Sequence, residues 1–301
     1  MNAEDLHKSR GILRAIGWTA FRLVVLGMLL LAVSAACALL WTALVVRSGA
    51  MGVPVSIILQ FVIAGVMIVA YRGGVRLIER RSASELGLAS ARSALPGLFL
   101  GFALFCVVEA VLWASGLATY QGFAGVGAVP MIASLLLAAA ISEELIYRGV
   151  LYRVLEEGLG TVPALVVSAG VFGITHGANP GASLASSAAI ALEGGLVLGL
   201  AYTITRSLWF PIGIHFGWNF AQGGIFNAPI SGTRFPGMLN FKIVGPDAWT
   251  GGAFGPEASV ISVLVWLPAA GLLGWWAISS GRWRAVALQR VQQPPVSAPA
   301  P

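Results

Sequence analysis

Glu143, Glu144 and Arg148 stand together in ISEELIYRGVLYR, His176 ends FGITH, and His215 with Asn219 brackets HFGWN, each inside or beside an apolar run. On insertion scales an ionisable side chain at membrane depth costs about 2.5 to 3.5 kcal/mol, so such residues mark functional sites by default. Consecutive glutamates on a helix point about 100° apart and cannot share one role. Glu144 and Arg148 are spaced i, i+4, which supports an ion pair on one face and leaves Glu143 to point into a cavity. A carboxylate held in a dry pocket is suited to act as general base toward water. His215 and Asn219 also lie four apart, so both could donate hydrogen bonds to an oxyanion. Each group has a plainer reading. The glutamates and arginine could be a charge group at a helix end, His176 a structural donor, and His215 with Asn219 a polar clamp between membrane helices.

These residues need elements that hold them at depth. The 301-residue chain is 57% hydrophobic and only 10% charged, against about 25% charged in soluble domains. Apolar runs reach the roughly 20 residues a spanning helix requires, which excludes a large soluble protein. The expected fold is an all-α, polytopic transmembrane helical bundle of about eight spans around a polar intramembrane cavity. The spans read as 16–46, 52–71, 94–115, 130–147, 161–177, 183–205, 208–226 and 259–279. The fifth and seventh carry the histidines and are the shortest or most broken. Polar or interrupted helices are tolerated at membrane depth where they face a protein interior or a wet cavity. The first run is too long for a signal-peptide core and reads as a retained helix. Cys37 and Cys106 fall in apolar runs and read as packing residues, with no metal or disulfide framework.

Basic residues divide unevenly over such a topology. Lys8, Arg10 and Arg14, then Arg72, Arg76, Arg80, Arg81 and Arg92, then Arg148, Arg153 and Arg206, and finally Arg282, Arg284 and Arg290 fall on one side. Arg47, Arg234 and Lys242 fall on the other, so the positive-inside rule expects both termini in the cytoplasm of a multi-pass cell-membrane protein. The connection YRGGVRLIERRSASELGLAS reads as a short interfacial helix using Val75, Leu77, Ile78 and Leu86, or as an ordinary solvated loop. The 227–258 loop, rich in Gly and Pro, reads as a partial lid or a structured connection. The closing QQPPVSAPAP reads as a disordered tail. Arg22, Glu109 and Glu193 are further ionisable residues inside spans, and Glu193 is the better cavity candidate because Gly194 and Gly195 allow close backbone approach.

Taken in order, EELIYR, FGITH and HFGWN match the EExxxR, FxxxH and HxxxN signatures, and the chain resembles the CAAX-protease and bacteriocin-processing (CPBP) family of intramembrane glutamic endopeptidases, also called the abortive-infection family. SELGL at 84–88 is similar to a lead-in segment often seen there. The resemblance covers about residues 80–226. It implies that Glu143 and His176 bind and deprotonate a water, that His215 and Asn219 stabilise the oxyanion, and that Glu144 and Arg148 support the geometry or contact substrate. Eukaryotic relatives cleave the last three residues from prenylated CAAX proteins, and bacterial relatives are linked to peptide maturation, bacteriocin immunity and regulated proteolysis.

The expected division is 1–80 for the tail, two helices and the start of the basic connection, 81–226 for the catalytic core, and 227–301 for the loop, last helix and tail. The expected function is hydrolysis of a peptide bond in a membrane-associated protein or peptide, lipidated or not, with no cofactor and no nucleic-acid partner. A zinc-dependent variant of the same protease is one alternative, although HExxH is absent. A transporter or proton-coupled carrier is another, since intramembrane Glu and His also relay protons. A scaffold or immunity factor that keeps the fold is a third.

Overall fold

The computed structural model describes residues 3–47 and 52–285. Arg290 and the proline-rich tail lie outside the described residues.

Among the described residues, six helices are long and apolar enough to cross a membrane, which supports a multi-pass membrane protein. They are α1 (Leu13–Val45), α2 (Val53–Glu79), α3 (Leu88–Ala114), α4 (Val129–Leu159), α6 (Leu184–Thr205) and α8 (Val260–Ser279). Between them lie α5 (Thr161–His176) and α7 (Trp209–Asn219), of 16 and 11 residues. The eight segments read as spans are all helical, six of them long enough in themselves to cross a membrane and two shorter. The two short helices carry His176, His215 and Asn219; α7 is mostly buried in the bundle, whereas α5 leaves a face with Val166 and Ile174 exposed.

The fourth helix also differs from its expected bounds. It does not end near 147 but runs 31 residues to Leu159, about 46 Å at 1.5 Å per residue. Glu143 thus sits near mid-helix. The polar run that looked like a membrane edge is neutralised inside the protein, because Arg153 pairs with Glu79 at 2.9 Å and Glu157 at 3.1 Å, and Arg22 also reaches Glu157. Arg148 is likewise a buried helical residue, 1% exposed, not part of a connection.

Two expectations for the connections change. The 71–90 segment is neither a separate interfacial helix nor a solvated loop. Helix α2 continues to Glu79, the chain reverses at Arg80 with φ 54°, and Glu85 and Leu86 are buried. The all-α expectation also gains a small sheet, in which β1 (Ala118–Phe123) pairs antiparallel with β2 (Leu239–Ile243).

Hydrogen bonds between chain ends fix the bundle's two faces. At one, the start of α5 bonds to Arg284 after α8, and Arg206 after α6 bonds to the Arg282 carbonyl at 2.8 Å. Glu79 at the end of α2 meets Arg153 there. At the other, the sheet joins the segments that follow α3 and α7.

Close helix contact positions α7. Gly97 and Gly101 on α3 face Gly213 and Gly217 on α7, so the backbones meet where any side chain would collide. A Cβ at Gly217 would lie 2.9 Å from the Leu98 carbonyl carbon, and one at Gly101 would lie 2.9 Å from the Trp218 nitrogen. This is the small-xxx-small packing of membrane helices, and it brackets His215 between two glycines.

Candidate active site

Glu143, His176 and His215 converge although they come from three helices. Glu143 Oε2 lies 3.9 Å from His176 Nε2 and 4.0 Å from His215 Nε2. Each imidazole is oriented through its other nitrogen. His176 Nδ1 is 2.8 Å from the Phe172 carbonyl, and His215 Nδ1 is 2.9 Å from Glu144 Oε1. Both partners are acceptors, so both Nδ1 atoms carry a proton and both Nε2 atoms face Glu143. A distance near 4 Å is too long for a direct hydrogen bond but admits one oxygen at about 2.8 Å from the carboxylate and from an imidazole.

Glu144 and Arg148 form the expected same-helix pair at 2.8 Å and are almost completely buried. Their partners reach further than the spacing revealed. Glu144 Oε1 accepts from both Arg148 and His215, so this carboxylate orients a histidine on another helix. Arg148 also donates to the Gly194 carbonyl and, at 3.3 Å, to that of Gly195, and its guanidinium lies 4.5 Å above the Phe172 ring. The arginine therefore ties α4, α5 and α6 together, and Phe172 touches both histidine rings. Tyr147, not singled out by sequence, shares a 2.8 Å hydrogen bond with Thr175 beside His176.

Local helix geometry aids this convergence. Widened π-helical segments at Leu145–Tyr152, Ala191–Val197 and Phe220–Ile225 follow or contain the site residues. Such departures from α-helical spacing occur often at functional sites, because they re-aim side chains along an otherwise regular rod.

The site opens onto a cavity of about 340 Å³ lined by Glu143, His176, His215 and Asn219. Asn179, Glu193 and Glu257 share the lining, and only Glu193 among them was anticipated. Asn179 follows His176 by three residues in the turn after α5, and no motif flagged it. Glu143 also borders a second cavity of about 350 Å³ between α1, α2 and α4. Glu109 lines neither; its carboxyl is buried, and neither oxygen has a hydrogen-bond partner among the described residues. No group of three or more His, Cys, Asp or Glu side chains is arranged to hold a metal ion among the described residues.

The site is thus a partly exposed glutamate facing two oriented histidines within a multi-pass helical bundle. Residues 125–221 match the family model described as Rce1-like, type II CAAX prenyl endopeptidase. The match supports the CPBP family, and together with the six apolar helices it supports an intramembrane protease. No curated protein and no solved structure matches the chain.

Proposed function

We propose that this chain is an intramembrane endopeptidase in which Glu143 is the general base and His176, His215 and Asn219 complete the site. The observation that carries the reading is the disposition of Glu143 Oε2 between two Nε2 atoms, each held by a fixed bond at Nδ1. A water between Glu143 and His176 gives one proton to the carboxylate as its oxygen bonds to the scissile carbonyl carbon. The carbonyl electron pair moves to its oxygen, and donors from Asn219 and His215 stabilise that charge. An Nε2–H donor at His215 requires the imidazolium, since Nδ1–H is committed to Glu144, and the carboxylates of Glu143 and Glu144 supply compensating charge. Collapse of the intermediate breaks the C–N bond, and the proton on Glu143 passes to the leaving amine.

The substrate class that fits is a membrane-associated protein or peptide presented within the bilayer, with the prenylated CAAX chain as the family's example. The basic residues at the ends of α2, α6 and α8 support a cytoplasmic position for both termini and for that face of the bundle.

Glu143→Gln keeps the side-chain shape and removes the base. In purified protein assayed on a farnesylated CAAX reporter peptide, and in cells compared by C-terminal and membrane-peptide proteomics, it should lower cleavage by about 10³-fold or more with expression intact. Cleavage by Glu143→Gln at the wild-type rate would refute the assignment. Metal analysis of the active protein addresses the zinc variant: stoichiometric zinc with chelator-reversible activity would replace the metal-free mechanism.

A further inference from the structure

The cavity carries two further acidic side chains besides Glu143. Glu193 on α6 and Glu257 just before α8 both line it, and each is 3% exposed. Glu193 Oε2 accepts a 2.9 Å hydrogen bond from Ser262, while Oε1 is buried with no hydrogen-bond partner among the described residues. Glu257 is held by the Ser231 backbone N–H at 2.5 Å and by Gln222.

Like Glu109, neither of the pair has an ion pair with Lys or Arg among the described residues. The other strongly buried glutamates with assigned partners, Glu79, Glu85, Glu144 and Glu156, each face an arginine. Among the described residues no Lys or Arg lines the cavity. Two carboxyl groups buried without counter-charge are unfavourable as anions, and a ligand bearing positive charge would relieve them. The unpartnered Glu193 oxygen supplies an acceptor for it, and the cavity also presents Trp218 and Trp266, whose rings lie 4.9 Å apart. Aromatic faces favour a neighbouring cation.

We propose that Glu193 and Glu257 form a specificity subsite that binds a primary ammonium group, such as a lysine side chain, close to the scissile bond. The segment after α7 thereby contributes to substrate selection, because it delivers Glu257 and Ser231 to the cavity. This inference rests on the endopeptidase reading for its role, though not for the existence of the site.

Two measurements separate the site from the reading. Full-length protein in phosphatidylcholine nanodiscs is melted with n-butylammonium or with n-butanol. The ammonium should raise the transition by about 2 °C or more above the alcohol, and Glu193→Gln/Glu257→Gln should abolish the difference. No difference in wild type, or one that survives in the double variant, overturns the site. Farnesylated reporter peptides are then scanned with lysine or norleucine at each position flanking the scissile bond. At one position lysine should raise kcat/KM by about tenfold, and the double variant should cleave both peptides equally. Equal cleavage of both by wild type at every position overturns the specificity role. An ammonium-dependent shift without cleavage of any reporter leaves the cation site standing and defeats the proteolytic reading. Repeating the scan in phosphatidylethanolamine nanodiscs identifies the source of the ammonium: a lysine preference that survives assigns it to the peptide, and one lost only there assigns it to the lipid headgroup.

Discussion

Glu144 Oε1 receives Arg148 at 2.8 Å and His215 at 2.9 Å, so one buried oxygen serves both a structural pair and a proposed catalytic histidine. The two duties can be separated. Glu144→Gln leaves Arg148 buried without its anion, a change that costs about 3 to 5 kcal/mol in comparable pairs, and it also weakens the hold on His215. Pairing it with Arg148→Met restores a neutral, well-filled site. The expectation is that the double variant recovers most of the lost thermal stability while activity stays at least about 10²-fold down, because a neutral amide holds the His215 imidazolium more weakly than the carboxylate does. Recovery of activity along with stability would reduce Glu144 to a packing role. Asn219→Ala removes one of two oxyanion donors and should cost about 10²- to 10³-fold in kcat, less than Glu143→Gln. An Asn219→Ala enzyme as inactive as Glu143→Gln would mean that the asparagine does more than donate one hydrogen bond.

At the scale of the element, the glycines of α3 and α7 decide where His215 and Asn219 stand. Replacing Gly217 by Val drives its side chain into the Leu98 backbone, an overpacking change worth about 1 to 3 kcal/mol. Because α7 must shift to accept it, kcat on the reporter should fall together with the melting temperature. Gly65→Ala on α2 meets nothing within 4 Å and should change neither. The motif residues of this helix were readable from HFGWN, and GLFLG at 97–101 with GIHFG at 213–217 also carried the packing signal, though it went unread. Other parts were not legible for physical reasons. The i, i+4 spacing of Glu144 and Arg148 gives their pairing directly, but the bond from Glu144 to His215 depends on how α4 and α7 meet. The end of α4 was misplaced because Arg153, Glu156 and Glu157 look like a water-facing run. Their partners Arg22, Glu79 and Arg206 come from distant elements, and local hydropathy cannot show them.

Across the whole molecule, charge is gathered at two depths with opposite consequences for stability. At the face where α2, α4, α6 and α8 end, Glu85 is buried, which alone would raise its pKa. Hydrogen bonds from Arg81 and Tyr71 and the charge of Arg153 nevertheless hold it below the usual glutamate range. Glu257, beside the cavity, is driven by burial the other way, up to about 7, despite hydrogen bonds from Ser231 and Gln222. A depressed folded-state pKa gives stability that is present above the unfolded value near 4.3 and lost as pH falls through the folded value. A raised one gives stability that is present below that unfolded value and lost as pH rises through about 7. Glu85 therefore makes the bundle sensitive to acid, and Glu257 makes it weaken between mildly acidic and mildly alkaline conditions. Thermal melts of the full chain in nanodiscs at pH 5.5 and 8.5 should show a lower transition at the higher pH, and Glu257→Gln should flatten that difference. Adding n-butylammonium at pH 8.5 should restore the wild-type transition toward its value at pH 5.5, since a bound cation favours the ionised carboxylate that alkaline pH produces. An unchanged pH dependence in Glu257→Gln would show that the drop arises elsewhere in the bundle.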